Sequence, residues 1–136
     1  MNHHYNQNYS IEQISKFLLI LQDCVREEKY IISKNENRKE NIEFIREYNL
    51  NSKRQKDIFL NIQPEDFCHS LQNKNIGFEH EVLYVFCPKV HLFNFEGVDE
   101  WTDIYLKFNL LETVSGNRLI VISFHKRNKS IEYLFK

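Results

Sequence analysis

The pattern of apolar positions divides the chain into a helical first half and a strand-rich second half. Between residues 11 and 25, apolar side chains recur every three or four positions, which predicts one buried helix face. Ser10 and Gln13 have the spacing of a capping box, so we expect this helix to begin at Ser10. The same periodicity predicts helices over residues 37–48 and 52–62.

Two shorter segments complete the first half. Residues 29–33 are β-branched and aromatic, which favours a short strand. Pro64 is a good first helical residue, and Glu65 and Asp66 are favourable in a first turn. We therefore predict a short fourth helix over residues 64–72.

A two-residue period dominates the second half. Residues 103–112 alternate apolar side chains at even positions with Tyr105, Lys107 and Asn109 at odd positions. Further strands are predicted over residues 82–86, 118–125 and 131–135. This order predicts an α+β fold, with N-terminal helices packed on a mostly antiparallel C-terminal sheet. We expect one domain over residues 10–136, after a disordered polar tail over residues 1–9.

The turn between the two longest predicted strands decides which side chains share a face. If residues 114–116 form a three-residue loop, Gly116 takes the left-handed conformation that glycine alone adopts without strain. Thr113 then faces Asn117, and four polar side chains lie on one face. They form two cross-strand pairs, Tyr105 with His125 and Lys107 with Ser123. A two-residue loop would shift the register by one and send the partners to opposite faces.

This polar face has two interpretations. A Tyr, a Lys and a His without an acid can hold an anion, and neutral His125 can also transfer a proton. The alternative is the ordinary solvent-facing side of an antiparallel sheet, which is normally polar.

His69 is a second candidate. On the predicted helix it points away from the apolar stripe, and it either lines a cleft or is exposed. Neighbouring helical residues do not face each other, which argues against a nucleophilic pair of Cys68 and His69. His69, His80 and His91 lie eleven residues apart and lack the spacing of zinc modules, so no metal site is predicted. No glycine-rich phosphate loop occurs, and no cofactor is expected.

Charge and cysteine content narrow the function classes. Eighteen Lys and Arg oppose nineteen Asp and Glu, so contact with nucleic acid requires a local patch. Residues 118–136 carry five cations and one anion, whereas residues 94–103 carry four acids and no base. Trp101, in the acidic segment, is either an interface anchor or a packed core residue. Three cysteines without a C-x-x-C motif fit reduced thiols in the cytoplasm, and we expect neither a signal peptide nor a membrane span.

Three short motifs occur in a characteristic order. The first is an apolar stretch followed by an acidic helix start, LNIQPEDFCHS, at residues 60–70. The other two are the predicted strand segments IYLK at residues 104–107 and VISFH at residues 121–125. Together with the order helix, strand, helix, helix and sheet, they resemble the motility-quorum-sensing-regulator (MqsR-like) toxin family. The resemblance covers roughly residues 10–126.

The resemblance implies a RelE-like fold and an endoribonuclease toxin of a type II toxin–antitoxin system. Such an enzyme cleaves mRNA without metal: the ribose 2′-OH attacks the adjacent phosphorus and leaves a cyclic phosphate and a 5′-OH. The expected partners are single-stranded mRNA and a cognate antitoxin, and the expected assembly is a homodimer or a toxin–antitoxin hetero-oligomer. The alternative is a non-enzymatic immunity or antitoxin-like protein that uses the polar face to bind a partner.

The resemblance also implies roles for individual residues. Tyr105 matches the family's catalytic tyrosine, and His69 and His125 stand where its best-known member has catalytic lysines. Histidine transfers protons readily at neutral pH, so we expect His69 to act as base and His125 as acid. The family's glutamine has no secure equivalent, and Glu81 is the nearest polar residue. The expected substrate-binding residues are Lys107, Ser123, Lys126 and Arg127.

Overall fold

The computed structural model describes residues 4–35 and 38–136, and it has the predicted α+β architecture. The helices are α1 (Ile11–Arg26), α2 (Lys39–Glu47) and α3 (Ser52–Leu60), followed by a 3₁₀ turn at Pro64–Asp66. The strands are β1 (Tyr30–Ile32), β2 (Phe67–Gln72), β3 (Val82–Phe86), β4 (Lys89–Phe93), β5 (Asp99–Thr113) and β6 (Gly116–Lys126). Asn37, where the second helix was expected to begin, lies outside the described residues. In the two described ranges, no helix has the length and apolar character needed to cross a membrane.

The strands form one mixed sheet in the order β1-β6-β5-β3-β2, and β4 also pairs with β5. β1 runs parallel to β6, and the other strand pairs are antiparallel, which confirms the prediction of a mostly antiparallel sheet. β5 has 15 residues and pairs with β6 along one side. Along its other side it pairs first with β4 and then with β3. β5 is therefore the central strand, and it positions the residues of the candidate site.

The helices cover one face of the sheet and bury the main hydrophobic core. Ile104, Leu106 and Phe108, at the even positions of β5, are fully buried in this core as the alternation predicted. Phe59 of α3 lies edge-on to Phe108, with ring centroids 6.0 Å apart. Burying a side chain of this size contributes roughly 1.5–3 kcal/mol. The capping box predicted at Ser10 is confirmed and fixes the start of α1.

The two ends of the chain cover the second face of the sheet. Residues 5–9, which lie within the predicted polar tail, run along β2. There Asn6 and Ser70 exchange two backbone hydrogen bonds of 2.9 Å. Near the other end, the Tyr133 hydroxyl donates a 2.6 Å hydrogen bond to the backbone carbonyl of Cys87, the residue after β3. Residues 1–3 of the predicted tail lie outside the described residues.

The predicted helix over residues 64–72 is wrong beyond its first turn. Only Pro64–Asp66 turns, as a 3₁₀ helix in which the Asp66 carboxylate accepts a 2.8 Å hydrogen bond from the Gln63 backbone N–H. β2 follows at once and pairs with β3. Residues 67–70 are all buried, because the helices cover one side of β2 and the chain ends cover the other. Strand pairing and burial on both faces outweigh the local helix-start signal.

The β5–β6 hairpin reaches the predicted pairing by a different route. Thr113 pairs with Gly116, so the loop has two residues rather than the predicted three. Gly116 has the expected positive φ, 107°. The two-residue loop shifts the outer half of the hairpin by one residue, but an extra residue in β6, Ile122, forms a bulge that restores the predicted register. The pairs beyond the bulge are Tyr105 with His125 and Lys107 with Ser123.

The strand expected over residues 131–135 does not form. This segment crosses the second face, and the Leu134 N–H donates a 3.1 Å hydrogen bond to the carbonyl of Phe67. Ile131 and Tyr133 pack against the small apolar cluster on that face. This backbone hydrogen bond, the Tyr133 hydroxyl bond and side-chain packing hold the segment in place without a strand ladder.

A buried asparagine on α2 fixes the bulge in β6. Asn41 is fully buried, and its amide N–H groups donate to the carbonyls of Ser33 and Ile122, both at 2.9 Å. Its side-chain carbonyl accepts a 2.8 Å hydrogen bond from the backbone N–H of Phe124. β1 pairs with β6 only as far as Val121. The Asn41 side chain therefore continues the hydrogen bonding of the β6 edge where β1 ends.

Replacing this asparagine should destabilise the protein and loosen the hairpin register. Asn41→Ala removes three hydrogen bonds and leaves buried backbone groups unpaired, so we expect a loss of about 3 kcal/mol in the free energy of unfolding. Urea unfolding measures this loss. Glu43→Ala, at an exposed position of the same helix, is the control and should change stability by less than about 0.5 kcal/mol. Equal effects of the two substitutions would contradict the role of Asn41.

Candidate functional site

Tyr105 and His125 lie at the centre of the candidate site, on the second face of the sheet. Their rings stack with centroids 5.5 Å apart and planes 17° apart. The Lys129 Nζ lies 4.9 Å from the centroid of the Tyr105 ring. Tyr105 is 3% exposed and Ser123 is 2% exposed, so the interpretation of this face as an ordinary solvent-facing side is wrong. Burial raises the pKa of the Tyr105 phenol, which therefore keeps its proton at neutral pH.

The hydrogen bonding of His125 assigns its tautomer. Its Nδ1 lies 2.8 Å from the backbone carbonyl oxygen of Lys126. A carbonyl oxygen can only accept, so Nδ1 carries the proton. The Glu40 carboxylate is also near, 3.8 Å from Nδ1. In neutral His125 the other nitrogen, Nε2, is therefore the one that can take up a proton.

A second row of side chains lies beside this pair. Across β2, β3, β5 and β6 the paired residues are His69, Val85, Lys107 and Ser123. Strands lie about 4.8 Å apart, so the backbones of His69 and Lys107 are about 10 Å apart and β2 lies about 14 Å from β6. The structure thus brings the predicted residues Tyr105, Lys107, Ser123 and His125 together and places His69 on the far side of Lys107.

Lys107 lines a cavity of about 360 Å³, and none of the described residues that line it is acidic. Arg38, immediately before α2, and Lys74, in the β2–β3 loop, line the same cavity. Burial lowers the pKa of Lys107 to about 8, and the charges of Arg38 and Lys129 add to this effect. Lys107 forms no ion pair with any residue in 4–35 or 38–136. A half-buried ammonium group beside further cations favours binding of an anion.

His69 is buried and has one nitrogen without a partner. It is 2% exposed, and its ring stacks on Tyr5 with centroids 3.6 Å apart. Its Nε2 makes no hydrogen bond within the described part of the chain. Burial, with a smaller contribution from the charges of Lys129 and Lys107, lowers the pKa of His69 to about 4. His69 is therefore neutral at pH 7.

Two of the predicted substrate-binding residues are paired elsewhere. The Lys126 Nζ lies 3.0 Å from the Glu47 carboxylate and 5.1 Å from the ring centroid of Tyr48, both at the C-terminal end of α2. The Arg127 Nε lies 3.4 Å from the Asp103 carboxylate. Neither residue lines the Lys107 cavity. Their carboxylate partners are 79 and 24 residues away in the sequence, so no local pattern indicated this pairing.

Three residues near the site were not among the site residues predicted from the sequence: Tyr5, Arg38 and Lys129. Lys129 belongs to the basic C-terminal stretch, which was the available signal for it. Arg38 reaches the site because α2 packs beside β6, and Tyr5 reaches it because residues 5–9 run along β2. Both placements depend on tertiary packing rather than on a sequence motif.

Two other candidates lie outside the Tyr105 and Lys107 rows. The Glu81 carboxylate accepts hydrogen bonds from the side-chain amides of Asn73 at 3.0 Å and Asn109 at 2.9 Å, so it is already engaged. Trp101 is 69% exposed, so its interpretation as a packed core residue is wrong. Among the described residues, no group of three or more His, Cys, Asp and Glu side chains could hold a metal ion.

The environment of His69 predicts a pH dependence of stability. Its folded pKa lies below the ordinary value, so between pH 6.5 and about 4 the unfolded chain binds more protons than the folded one. Stability should therefore fall as pH decreases through this range, by up to about 3 kcal/mol from this residue. Urea unfolding at several pH values should show a smaller acid loss for His69→Gln than for the wild type. The control is His80→Gln, at an exposed position, and equal pH profiles for all three proteins would contradict the prediction.

Comparison of the sequence and the structure with known proteins found no relative. The chain matches no protein-family model. No curated protein and no solved structure is significantly similar to it. The functional argument therefore depends on the site itself and on the local motifs within the sequence.

Proposed function

We propose that the protein is an endoribonuclease toxin of a type II toxin–antitoxin system that cleaves single-stranded mRNA without a metal. The observation that carries the proposal is the set of cations on the second face of the sheet. Lys107, Arg38 and Lys74 line a cavity that has no acid among its described lining residues. Neutral His69 shares the cross-strand row of Lys107, and the Tyr105–His125 stack occupies the next row. This arrangement supports binding of a phosphate next to groups that donate or accept a proton.

The anion site explains how the substrate backbone is held. The phosphodiester carries one negative charge, and the charge on phosphorus oxygens increases as the 2′-OH attacks. Lys107 and Arg38 stabilise that charge, because a cation in a partly desolvated cavity acts more strongly than one in water. Selectivity for RNA follows from the chemistry, since DNA has no 2′-OH to attack.

Two groups supply the proton transfers. His69 is neutral and has a free Nε2, so it can accept the proton of the 2′-OH. Its low pKa makes it a weak base in the free protein. A bound phosphate offsets the nearby charges of Lys107 and Lys129 and raises the basicity of His69.

In this proposal His125 enters the reaction protonated at Nε2 as well as at Nδ1, and it donates the Nε2 proton to the leaving 5′-oxygen. The acid and the base of an in-line displacement act from opposite sides of the phosphorus. His125 on β6 and His69 on β2 flank Tyr105 and Lys107 from opposite sides. The Tyr105 phenol, which keeps its proton, donates a hydrogen bond to the phosphate.

Cleavage of single-stranded RNA in the presence of EDTA tests the proposal. The wild type should produce fragments with cyclic phosphate and 5′-OH ends. His69→Ala, Tyr105→Phe and His125→Ala should each lower the rate by about 10²–10⁴-fold. His80→Ala, at an exposed position, is the matched control and should keep the wild-type rate. If the wild type left RNA intact, or if the three variants cleaved at the wild-type rate while folded by circular dichroism, the enzyme proposal would fail.

Lys107 should determine how RNA binding depends on pH. Above a pKa of about 8 the ammonium loses its charge, so affinity for RNA should fall by up to about tenfold per pH unit. Lys107→Arg keeps its charge, because arginine stays protonated, and should extend tight binding to higher pH. Fluorescence anisotropy between pH 7 and 10 measures the effect. Lys53→Arg, at an exposed position of α3, is the control, and identical profiles for both variants would refute this role of Lys107.

An exposed aromatic surface supports the expected antitoxin partner. Phe93, Phe95 and Trp101 on and near the β4–β5 hairpin are 55%, 77% and 69% exposed. Aromatic residues of this kind anchor protein interfaces. We propose this hairpin as the surface that the antitoxin covers, in the cytoplasm where mRNA is translated. The same surface supports the second candidate function, a non-enzymatic immunity or antitoxin-like protein, in which RNA cleavage would be absent.

A further inference from the structure

A second cavity lies on the same face of the sheet, between the two chain ends. Residues 5–8 and 130–132 form its walls together with His69, and its volume is about 400 Å³. Gln7 joins the walls: its Nε2 donates to the backbone carbonyls of Cys68 at 2.8 Å and Glu132 at 3.5 Å. These contacts connect the N-terminal segment, β2 and the C-terminal segment, so the cavity is built by the fold itself.

The lining of this cavity differs in charge from that of the Lys107 cavity. Its described lining contains the Tyr5 ring, amide and hydroxyl side chains and the Glu132 carboxylate, but no Lys or Arg. The His69 imidazole, nearly fully buried, borders the cavity with its Nε2 unpaired. A buried polar atom without a partner within the described residues indicates a place where a ligand can supply the missing hydrogen bond, and a ribose 2′-OH beside the cavity would do so.

We propose that this cavity binds one unstacked nucleobase of an RNA strand whose phosphate lies at the Lys107 cavity. The inference rests on the proposed function, because it takes RNA as the ligand. A nucleotide has an uncharged aromatic base and an anionic phosphate. The base matches the cavity beside Tyr5, and the phosphate matches the cationic Lys107 cavity. Aromatic rings stack on bases, and amides and carboxylates bind their edges.

The positions of the two cavities fit a continuous strand. His69 and Lys107 share one row across the sheet, about 10 Å apart at the backbone. The Lys129 Nζ lies 4.9 Å from the ring centroid of Tyr105, which occupies the row next to that of His69 and Lys107. Tyr5 is half-buried, with its ring stacked on His69 and still in contact with the cavity. A base in this cavity would therefore meet an aromatic surface already fixed in place.

Binding of uncleavable RNA tests the proposal. The probes are 2′-O-methyl hexaribonucleotides of A, C, G or U, and a hexamer with the same backbone and no bases. At least one base-containing hexamer should bind about tenfold or more tightly than the abasic hexamer and shift the His69 ring signals in the NMR spectrum. Tyr5→Ala should remove this difference and leave the affinity for the abasic hexamer unchanged. Tyr5→Phe should keep it, because the ring remains. Phe95→Ala, which removes an exposed aromatic side chain of another surface, is the matched control.

The outcomes separate the cavity from the enzyme proposal. Equal binding of abasic and base-containing hexamers would overturn the nucleobase cavity and leave RNA binding intact. Base-dependent binding without RNA cleavage would leave the cavity standing and refute the endoribonuclease. Absence of binding by every hexamer would overturn both. Thermal unfolding of the Tyr5 variants shows whether a loss of binding reflects a loss of structure.

Discussion

The candidate site depends on one buried amide. Asn41 supplies the hydrogen bonds that the edge of β6 loses where β1 ends, and it thereby holds the extra residue Ile122 in the strand. Without that extra residue, the two-residue loop would place Tyr105 and His125 on opposite faces of the sheet. A contact between α2 and β6 on the core side therefore determines which side chains meet on the other side. The chemistry of one face is fixed by hydrogen bonding at the edge of the sheet.

The sequence predicts those elements whose signals are local. The capping box at Ser10, the short strand β1 and the alternation in β5 are confirmed, because each depends on neighbouring residues. β2 was predicted as a helix because its burial comes from partners remote in the chain. The pairing of Tyr105 with His125 was predicted correctly from a loop length that is wrong. The bulge that compensates is held by Asn41, 83 residues from Phe124 in the sequence, and no pattern within the hairpin could reveal it.

The charge pairing at the site also depends on contacts between residues that are remote in the sequence. Lys126 and Arg127, two neighbouring cations expected to bind substrate, are paired with carboxylates instead. The cations near the site come instead from three separate segments, as Arg38, Lys107 and Lys129. The mutual repulsion and partial burial of these cations cost folding free energy, and a bound anion would offset that cost. The net charge of −1 for the whole chain therefore does not indicate whether this face of the sheet binds anions or cations.

The covering of β2 by the chain ends also affects how copies of the protein meet. β2 is the last strand on its side of the sheet, and an uncovered edge strand can pair with the edge of another molecule. Here Asn6 exchanges backbone hydrogen bonds with Ser70. The Gln7 side chain donates a hydrogen bond to the Cys68 carbonyl, and the Leu134 N–H donates one to the Phe67 carbonyl. The N-terminal segment thus occupies the part of the β2 edge at which another molecule could add a strand. A chain without residues 4–9 would expose backbone groups of β2 that can pair with another molecule. Such a chain would aggregate through this edge, and its insolubility could be mistaken for a failure of the core to fold.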